Sequence, residues 1–182
     1  PRASFLKISN QETKIFEYWN LFENTILSKT VKEPLKNVEK LILESVENRL
    51  ISDVPYGIFL SGGIDSSILV AAASKVSNQN TNTFSVVFKE KGFDERKFSR
   101  MMASKYKTNH FELELNPDDI LHQIEEPFKF MDHPSVDGIN TFFISKQVHQ
   151  KGFKMALSVA GSDELFAGYP VFKQVFELEN KK

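Results

Sequence analysis

The chain has 182 residues, and its 23 Lys and Arg are balanced by 24 Asp and Glu, which excludes a nucleic-acid binder held by bulk positive charge. It has no cysteine, so disulfides, thiolate metal sites and a cysteine nucleophile are excluded as well. A hydrophobic share of 41% with 26% charged residues is ordinary for a soluble domain with a sizeable core. No apolar run approaches the roughly 18 residues of a membrane span and no stretch has a signal-peptide pattern, so a cytoplasmic protein without a membrane partner is the expectation.

Residues 1–33 read as an irregular arm, with an aromatic cluster at Phe16, Tyr18, Trp19 and Phe22 packed on the core or on a neighbour. From Pro34, which suits a first helical turn, Leu35, Val38, Leu41, Ile42, Val46 and Leu50 recur at helical spacing. YGIFL is a short continuous apolar run, as expected of a strand buried on both faces. A helix follows over SSILVAAASKV, then a strand over TFSVVF. DERKFSRMMASKYK is the next helix, with Phe98, Met101, Met102 and Tyr106 as its inner stripe and Asp94 as its cap. HFELEL alternates strictly and reads as a half-exposed strand near a sheet edge. PDDILHQI opens a helix with proline and two acids in its first turn, and INTFFISKQVHQKG is a helix closed by Gly152. FKMALSV is the last strand and runs into AGSDELFAGYP. The 17 phenylalanines read as core filling.

Strands alternating with helices predict a doubly wound α/β fold with a mostly parallel sheet and flanking helices. Ligands of such sheets bind at the carboxyl ends of the strands. Two glycine-containing loops, 61–65 and 160–164, fall at such ends.

In the first loop, Gly62 and Gly63 can adopt positive φ and carry no Cβ to hold a ligand away from the backbone. Consecutive amides in such a turn form an anion nest, and the following helix adds free N–H groups and a partial positive charge. Ser61, Ser66 and Ser67 can donate further hydrogen bonds. This is a receptor for phosphate or pyrophosphate. The Gly-Lys-Ser/Thr ending of a Walker A loop is missing, and so is the GxGxxG dinucleotide fingerprint. Asp65 would repel an anion on its own. It makes sense with Mg²⁺ between carboxylate and phosphates, because that ion takes a few carboxylates together with phosphate oxygens and water. Asp163 in the second loop is the candidate second carboxylate, with Glu164 behind it.

The string SGGIDSS looks like the PP-loop of the N-type ATP pyrophosphatases. Together with DVPYGIFL before it, GFDERKFSRMMASKY and GSDELFAGYP, it resembles the synthetase domain of glutamine-dependent asparagine synthetase and its amidotransferase relatives, from about residue 15 to 172. The resemblance implies an adenine nucleotide alpha hydrolase-like fold and an ATP- and Mg²⁺-dependent carbon–nitrogen ligase. A carboxylate, aspartate in asparagine synthetase, attacks the α-phosphate and pyrophosphate leaves. Ammonia from a glutaminase domain then displaces AMP to give an amide. It also implies that Leu60 and Ser61 border the nucleotide, that residues Gly62 to Ser67 hold pyrophosphate, and that Val86 meets adenine through its backbone. Ser158, Val159 and Gly161 would lie beside the adenylate, and Asp65 and Asp163 would share the Mg²⁺. Residues 1–33 look like the connector after a glutaminase domain, and 34–182 like the synthetase domain, cut short before a lysine that the family uses near the phosphates. The start at Pro1 and the polar end ELENKK fit such a piece, which would have little activity alone. A homodimer is compatible with the resemblance.

Two residues depart from the family pattern. The second loop usually reads Ser-Gly-x-Gly, and here it is Ser158-Val159-Ala160-Gly161. Ala160 stands where asparagine synthetase has a glutamate tied to amide formation, and alanine can neither move a proton nor position an amine. The alternatives therefore stay open: a related adenylating ligase or amidotransferase acting on another acid or a sugar-linked one, or a degenerate nucleotide-binding domain. His110, His122, His133 and His149 lack a shared ligand spacing and read as surface or structural residues. Asp132, His133 and Asp137 cluster in MDHPSVD, either as a turn with local caps or beside the acyl substrate.

Overall fold

A computed structural model describes residues 2–20, 33–77, 79–87, 95–133, 135 and 137–180. The chain forms two units, 1–38 and 39–182. In the first, β1 (Ser4–Ile8) and β2 (Thr13–Glu17) pair antiparallel, from Ser4 opposite Glu17 to Ile8 opposite Thr13. Phe5 stacks on Phe16 across the pair with ring centroids 5.1 Å apart. A hairpin thus replaces the irregular arm. Its strands are short and its turn, Ser9 to Glu12, contains neither glycine nor proline, so the usual hairpin signals are absent. The turn is closed instead by the Ser9 amide and hydroxyl, both donating to the Glu12 carbonyl. Phe16, Tyr18 and Trp19 are exposed, and Phe22 lies outside the described residues.

In the second unit, strands β3 (Tyr56–Phe59), β4 (Asn82–Val87), β5 (Asn109–Glu114) and β6 (Met155–Leu157) form a parallel sheet in the order β5-β4-β3-β6. Helices α1 (Pro34–Arg49), α2 (Ile64–Val76), α3 (Arg96–Tyr106), α4 (Pro117–His122) and α5 (Gly138–Gln150) precede or connect the strands, and α6 (Ser162–Phe166) and α7 (Pro170–Glu179) follow β6. The side chains of β3 alternate between two cores, as a pleat requires. Ile58 and Leu60 pack with Val46 of α1, Val70, Ala72 and Ala73 of α2 and Ala103 of α3. Phe59 joins Phe84, Phe111, Leu113 and Phe153 with Ile144 and Val148 of α5. Gly57 is glycine because the Phe84 ring fills its place: a Cβ there would sit 1.9 Å from Phe84 Cε2.

Helices α2 and α3 therefore cover one face and α5 the other, which is the doubly wound arrangement. The winding reverses between β3 and β6, so their carboxyl ends open the crevice where such sheets bind ligands. β5 is an edge strand, as its alternation predicts.

Three readings of sequence pattern need correction. On α3 the sheet-facing side is Ser99, Met102, Ala103 and Tyr106, whereas Phe98 and Met101 are exposed. On α1, Ile42, Val46 and Leu50 face the core but Leu35 and Leu41 do not. Phenylalanine is not uniformly core: Phe130, Phe166 and Phe176 are exposed. Asp94, the expected cap of α3, lies outside the described residues, and Glu95 is the N-cap. Among the described residues no helix is long and apolar enough to cross a membrane.

Candidate functional site

The chain leaves β3 at Leu60, which is fully buried. Its N–H donates to the Phe84 carbonyl at 2.7 Å, and its own carbonyl accepts from Ser85 Oγ at 2.6 Å. The turn that follows uses the left-handed region once, at Gly62 (φ +92°). A Cβ there would meet Phe98 Cβ at 2.7 Å and the Ser99 amide nitrogen at 2.9 Å, so the turn is seated on the start of α3. Gly63 does not share this constraint. It is extended (φ −67°, ψ 168°), and a Cβ on it would touch only Ser61 Oγ, at 3.4 Å.

Gly63 is also the N-cap of α2, and no side chain caps that helix. Its first amides therefore face the loop without a side-chain acceptor. The serines brace the turn. Ser61 Oγ lies 3.0 Å from Ser66 Oγ and accepts from the Gly63 amide, and Ser66 Oγ donates to the Gly63 carbonyl. Ser66 is 2% exposed, so its hydroxyl serves the turn from within. The Ser67 amide also donates to the Gly63 carbonyl.

The second loop leaves β6 beside the first, because Leu157 pairs with Ile58. Gly161 has φ +97°, and no atom lies within 4 Å of a Cβ built on it. The Ser162 amide closes the turn onto the Val159 carbonyl at 3.1 Å. Ser158, Ala160, Gly161 and Glu164 are exposed. Asp163 folds its carboxylate under Gly168, where a Cβ would sit 1.9 Å from Oδ1, and its carbonyl accepts from the Gly168 amide. The Tyr169 hydroxyl donates to Glu164 at 3.1 Å, and the bond and charge of that carboxylate push the phenol pKa up.

One side-chain bond joins the loops: Ser162 Oγ donates to Asp65 Oδ2 at 2.6 Å, across 97 residues of sequence. Sequence reasoning singled out Asp65 but not Ser162 or Ser85. Ser162 sits within GSDE and could have been found there, whereas Ser85 carries no local signal.

Val86 pairs with Leu113 on β5. Phe84 turns its carbonyl toward β3 and Val87 turns its own toward β5, so by strand alternation the backbone groups of Val86 point to the β3 side, beyond the last pairing there. Of the four histidines, His122, His133 and His149 are exposed, while His110 is half-buried between Thr83 and Ser85. Asp132, His133 and Asp137 are exposed, and the structure gives them no shared partner. Among the described residues no group of three or more His, Cys, Asp or Glu side chains could hold a metal ion.

The family model described as asparagine synthase matches residues 37–182. The chain belongs to the asparagine synthase family. Asparagine synthetase [glutamine-hydrolyzing] 1 of Bacillus subtilis is 34% identical over 147 residues, covering 80% of this chain and 23% of that protein. Amidase chyE of Penicillium rubens is 31% identical over 183 residues, covering 90% of this chain and 27% of that protein. The chain thus spans about a quarter of the length of these curated relatives. Among solved structures, an NH3-dependent NAD synthetase from Campylobacter jejuni aligns with a TM-score of 0.48 at 14% identity, over 74% of this chain and 60% of that one. In this family member the turn on Gly62 and the loop on Gly161 stand together at the reversal of the sheet.

Proposed function

We propose that the chain is the nucleotide-binding part of an ATP-dependent ligase that adenylates a carboxylate, releases pyrophosphate and forms an amide with ammonia. The observation that carries this reading is the uncapped N-terminus of α2, set on the Gly62 turn at the point where the sheet reverses. Free amides at a helix N-terminus attract phosphate. Gly63 adds a second support. The fold gives no reason for glycine at that position, and a bound anion approaching the backbone would.

Residues Gly62 to Ser67 would hold the pyrophosphate portion of ATP, with Leu60 and Ser61 bordering the nucleotide and the backbone of Val86 toward the base. Ser158, Val159 and Gly161 would border the adenylate. Mg²⁺ fits the oxygen chemistry of Asp65 and Asp163, since the ion keeps several waters and needs only one or two carboxylates beside phosphate oxygens. One Asp65 oxygen is already held by Ser162, which fixes the orientation of the carboxylate. When bound, the ion would neutralise phosphate charge. Glu164 would stand behind the pair, engaged with Tyr169.

The acyl substrate is aspartate in the asparagine synthetase reading. Ala160 stands, exposed, where asparagine synthetase has a glutamate, which keeps an acid other than aspartate as the alternative. In the same reading residues 1–33 are a connector after a glutaminase domain and 34–182 the synthetase domain. The ammonia reaches the site from that glutaminase in a cytoplasmic enzyme, which is compatible with a homodimer. Isothermal titration with ATP and Mg²⁺ tests the binding step. Heat at micromolar to millimolar ATP that vanishes on adding excess pyrophosphate is expected, and no heat from a folded sample that retains its thermal transition rejects the reading.

A further inference from the structure

A buried hydrogen-bond chain runs from β5 to the start of the candidate loop, and its direction can be worked out. The Leu60 carbonyl can only accept, so Ser85 must donate its single hydroxyl proton to it, at 2.6 Å. His110 Nε2 lies 3.3 Å from the same Ser85 oxygen. Because that proton is already committed, the imidazole must be the donor, and Nε2 carries hydrogen. In the neutral ring Nδ1 is then an acceptor, and its partner at 2.9 Å is Thr83 Oγ1. Thr83 donates to it and in turn accepts from Thr108 Oγ1 at 2.8 Å. Thr83 is fully buried and Ser85 is 4% exposed, so neither can exchange these partners for bulk water. Thr108, half-buried, is the donor at the far end.

We propose that His110 is a positioning residue of the candidate loop. As the Nε2–H tautomer it orders Ser85, whose hydroxyl holds the Leu60 carbonyl where the chain leaves β3 for the Gly62 turn. The link matters because that carbonyl lies just past the last strand residue, Phe59. Among the described residues only the Ser85 hydroxyl donates to it. The consequence for ATP rests on the nucleotide reading above, whereas the tautomer and the loop geometry do not. Around the ring stand Glu112 on the same strand and Arg100 on α3, which are paired with each other, and Arg96 adds positive charge near Glu112. Burial lowers the His110 pKa, which favours the neutral ring that the chain of bonds requires.

The test begins with the unaltered chain labelled with nitrogen-15 at histidine. Near pH 7.5, long-range proton–nitrogen correlation should show one histidine with a protonated Nε2 and a bare Nδ1. A protonated Nδ1 at His110, or a ring averaging between both forms, overturns the proposal. Substitutions then separate positioning from packing. His110→Gln keeps a donor near the Nε2 position and should leave the amide signals of Ser61, Gly62 and Gly63 in place. His110→Leu and Ser85→Ala should move those signals alike and weaken ATP·Mg²⁺ by about five- to tenfold, the worth of roughly one buried hydrogen bond. In the double variant the loss should not exceed that of one single, because both changes break one chain. Additive losses, or unmoved loop amides in His110→Leu, reject the positioning role. If the unaltered chain binds no ATP, the nucleotide reading fails, yet the tautomer and the loop amides still decide this proposal. If His110→Leu does not fold, the comparison of His110→Gln with Ser85→Ala decides it.

Discussion

The loop after β3 and the loop after β6 leave neighbouring strands at one edge of the sheet, yet they are held in different ways. The first is built into the core. Leu60 is buried, Ser66 is nearly so, Gly62 is wedged against α3, and three serine and glycine bonds close the turn. The second stands in the open: a Cβ on Gly161 would meet nothing within 4 Å, and Glu164 accepts from Tyr169 in the segment that follows. A site made from the two has one wall packed into the core and one exposed wall, and the Asp65–Ser162 bond is the link between them. Under the proposed function, the packed wall would take the phosphate portion of the nucleotide and the exposed wall the acyl substrate.

The largest expected effect concerns Asp65. Asp65→Asn keeps the acceptor for Ser162 but removes a charge. Under the proposed function, ATP–pyrophosphate exchange should fall by about a hundredfold or more, since metal-assisted charge stabilisation supplies several kcal/mol. Exchange near the unaltered level would remove Asp65 from the proposed metal site.

The positive-φ glycines of the two loops, Gly62 and Gly161, compare the walls directly. Gly62→Ala should lower unfolding free energy by about 3 kcal/mol or more, combining positive-φ strain with overlap against Phe98 and Ser99. Gly161→Ala meets only the φ strain and should cost about 1–2 kcal/mol. Denaturant titration measures both, and equal losses would contradict the contrast between the loops. Gly63→Ala should change stability by only about 0.5 kcal/mol, because its backbone is extended and has room. It should nonetheless weaken ATP binding in titration calorimetry.

A smaller effect is expected from Ser162→Ala. It removes a hydroxyl from a half-exposed carboxylate and should cost about 1 kcal/mol. The amide signals of the second loop should shift in NMR spectra while those of Ser61 to Gly63 stay in place.

The smallest effect is the dependence of stability on pH. His110 has a folded pKa below its ordinary 6.5. The unfolded chain therefore binds more protons near that value. Stability from this group is complete above about 6.5 and is lost as pH falls from there through the folded pKa. Glu112, held below the usual carboxylate range by its bond to Arg100, contributes stability that is lost only below about 4.5. Thermal melts from pH 8 to pH 4 should resolve the upper step, and His110→Gln should abolish it while leaving the lower one.

Much of this molecule is set by local pattern. The alternation of apolar runs and helices determined the parallel sheet, and the string from Ser61 to Ser67 determined a turn that opens a helix at its rim. The strict alternation of HFELEL placed β5 at an edge. Both kinds of signal work because strand and helix periods, and the freedom of glycine, are properties of neighbouring residues. What only the tertiary structure decided depends on residues far apart in sequence. The inward face of α3 went to Ser99, Met102, Ala103 and Tyr106 rather than to Phe98 and Met101, a phasing that depends on how the helix is seated on the Gly62 turn through Phe98 and Ser99. The hairpin of β1 and β2 formed without a glycine turn. Ser85 reaches Leu60 across 25 residues, and Ser162 reaches Asp65 across 97. Such bonds leave no periodicity to read, since a hydroxyl on a strand looks the same in sequence whether it faces solvent or a buried carbonyl that has reached the end of its ladder.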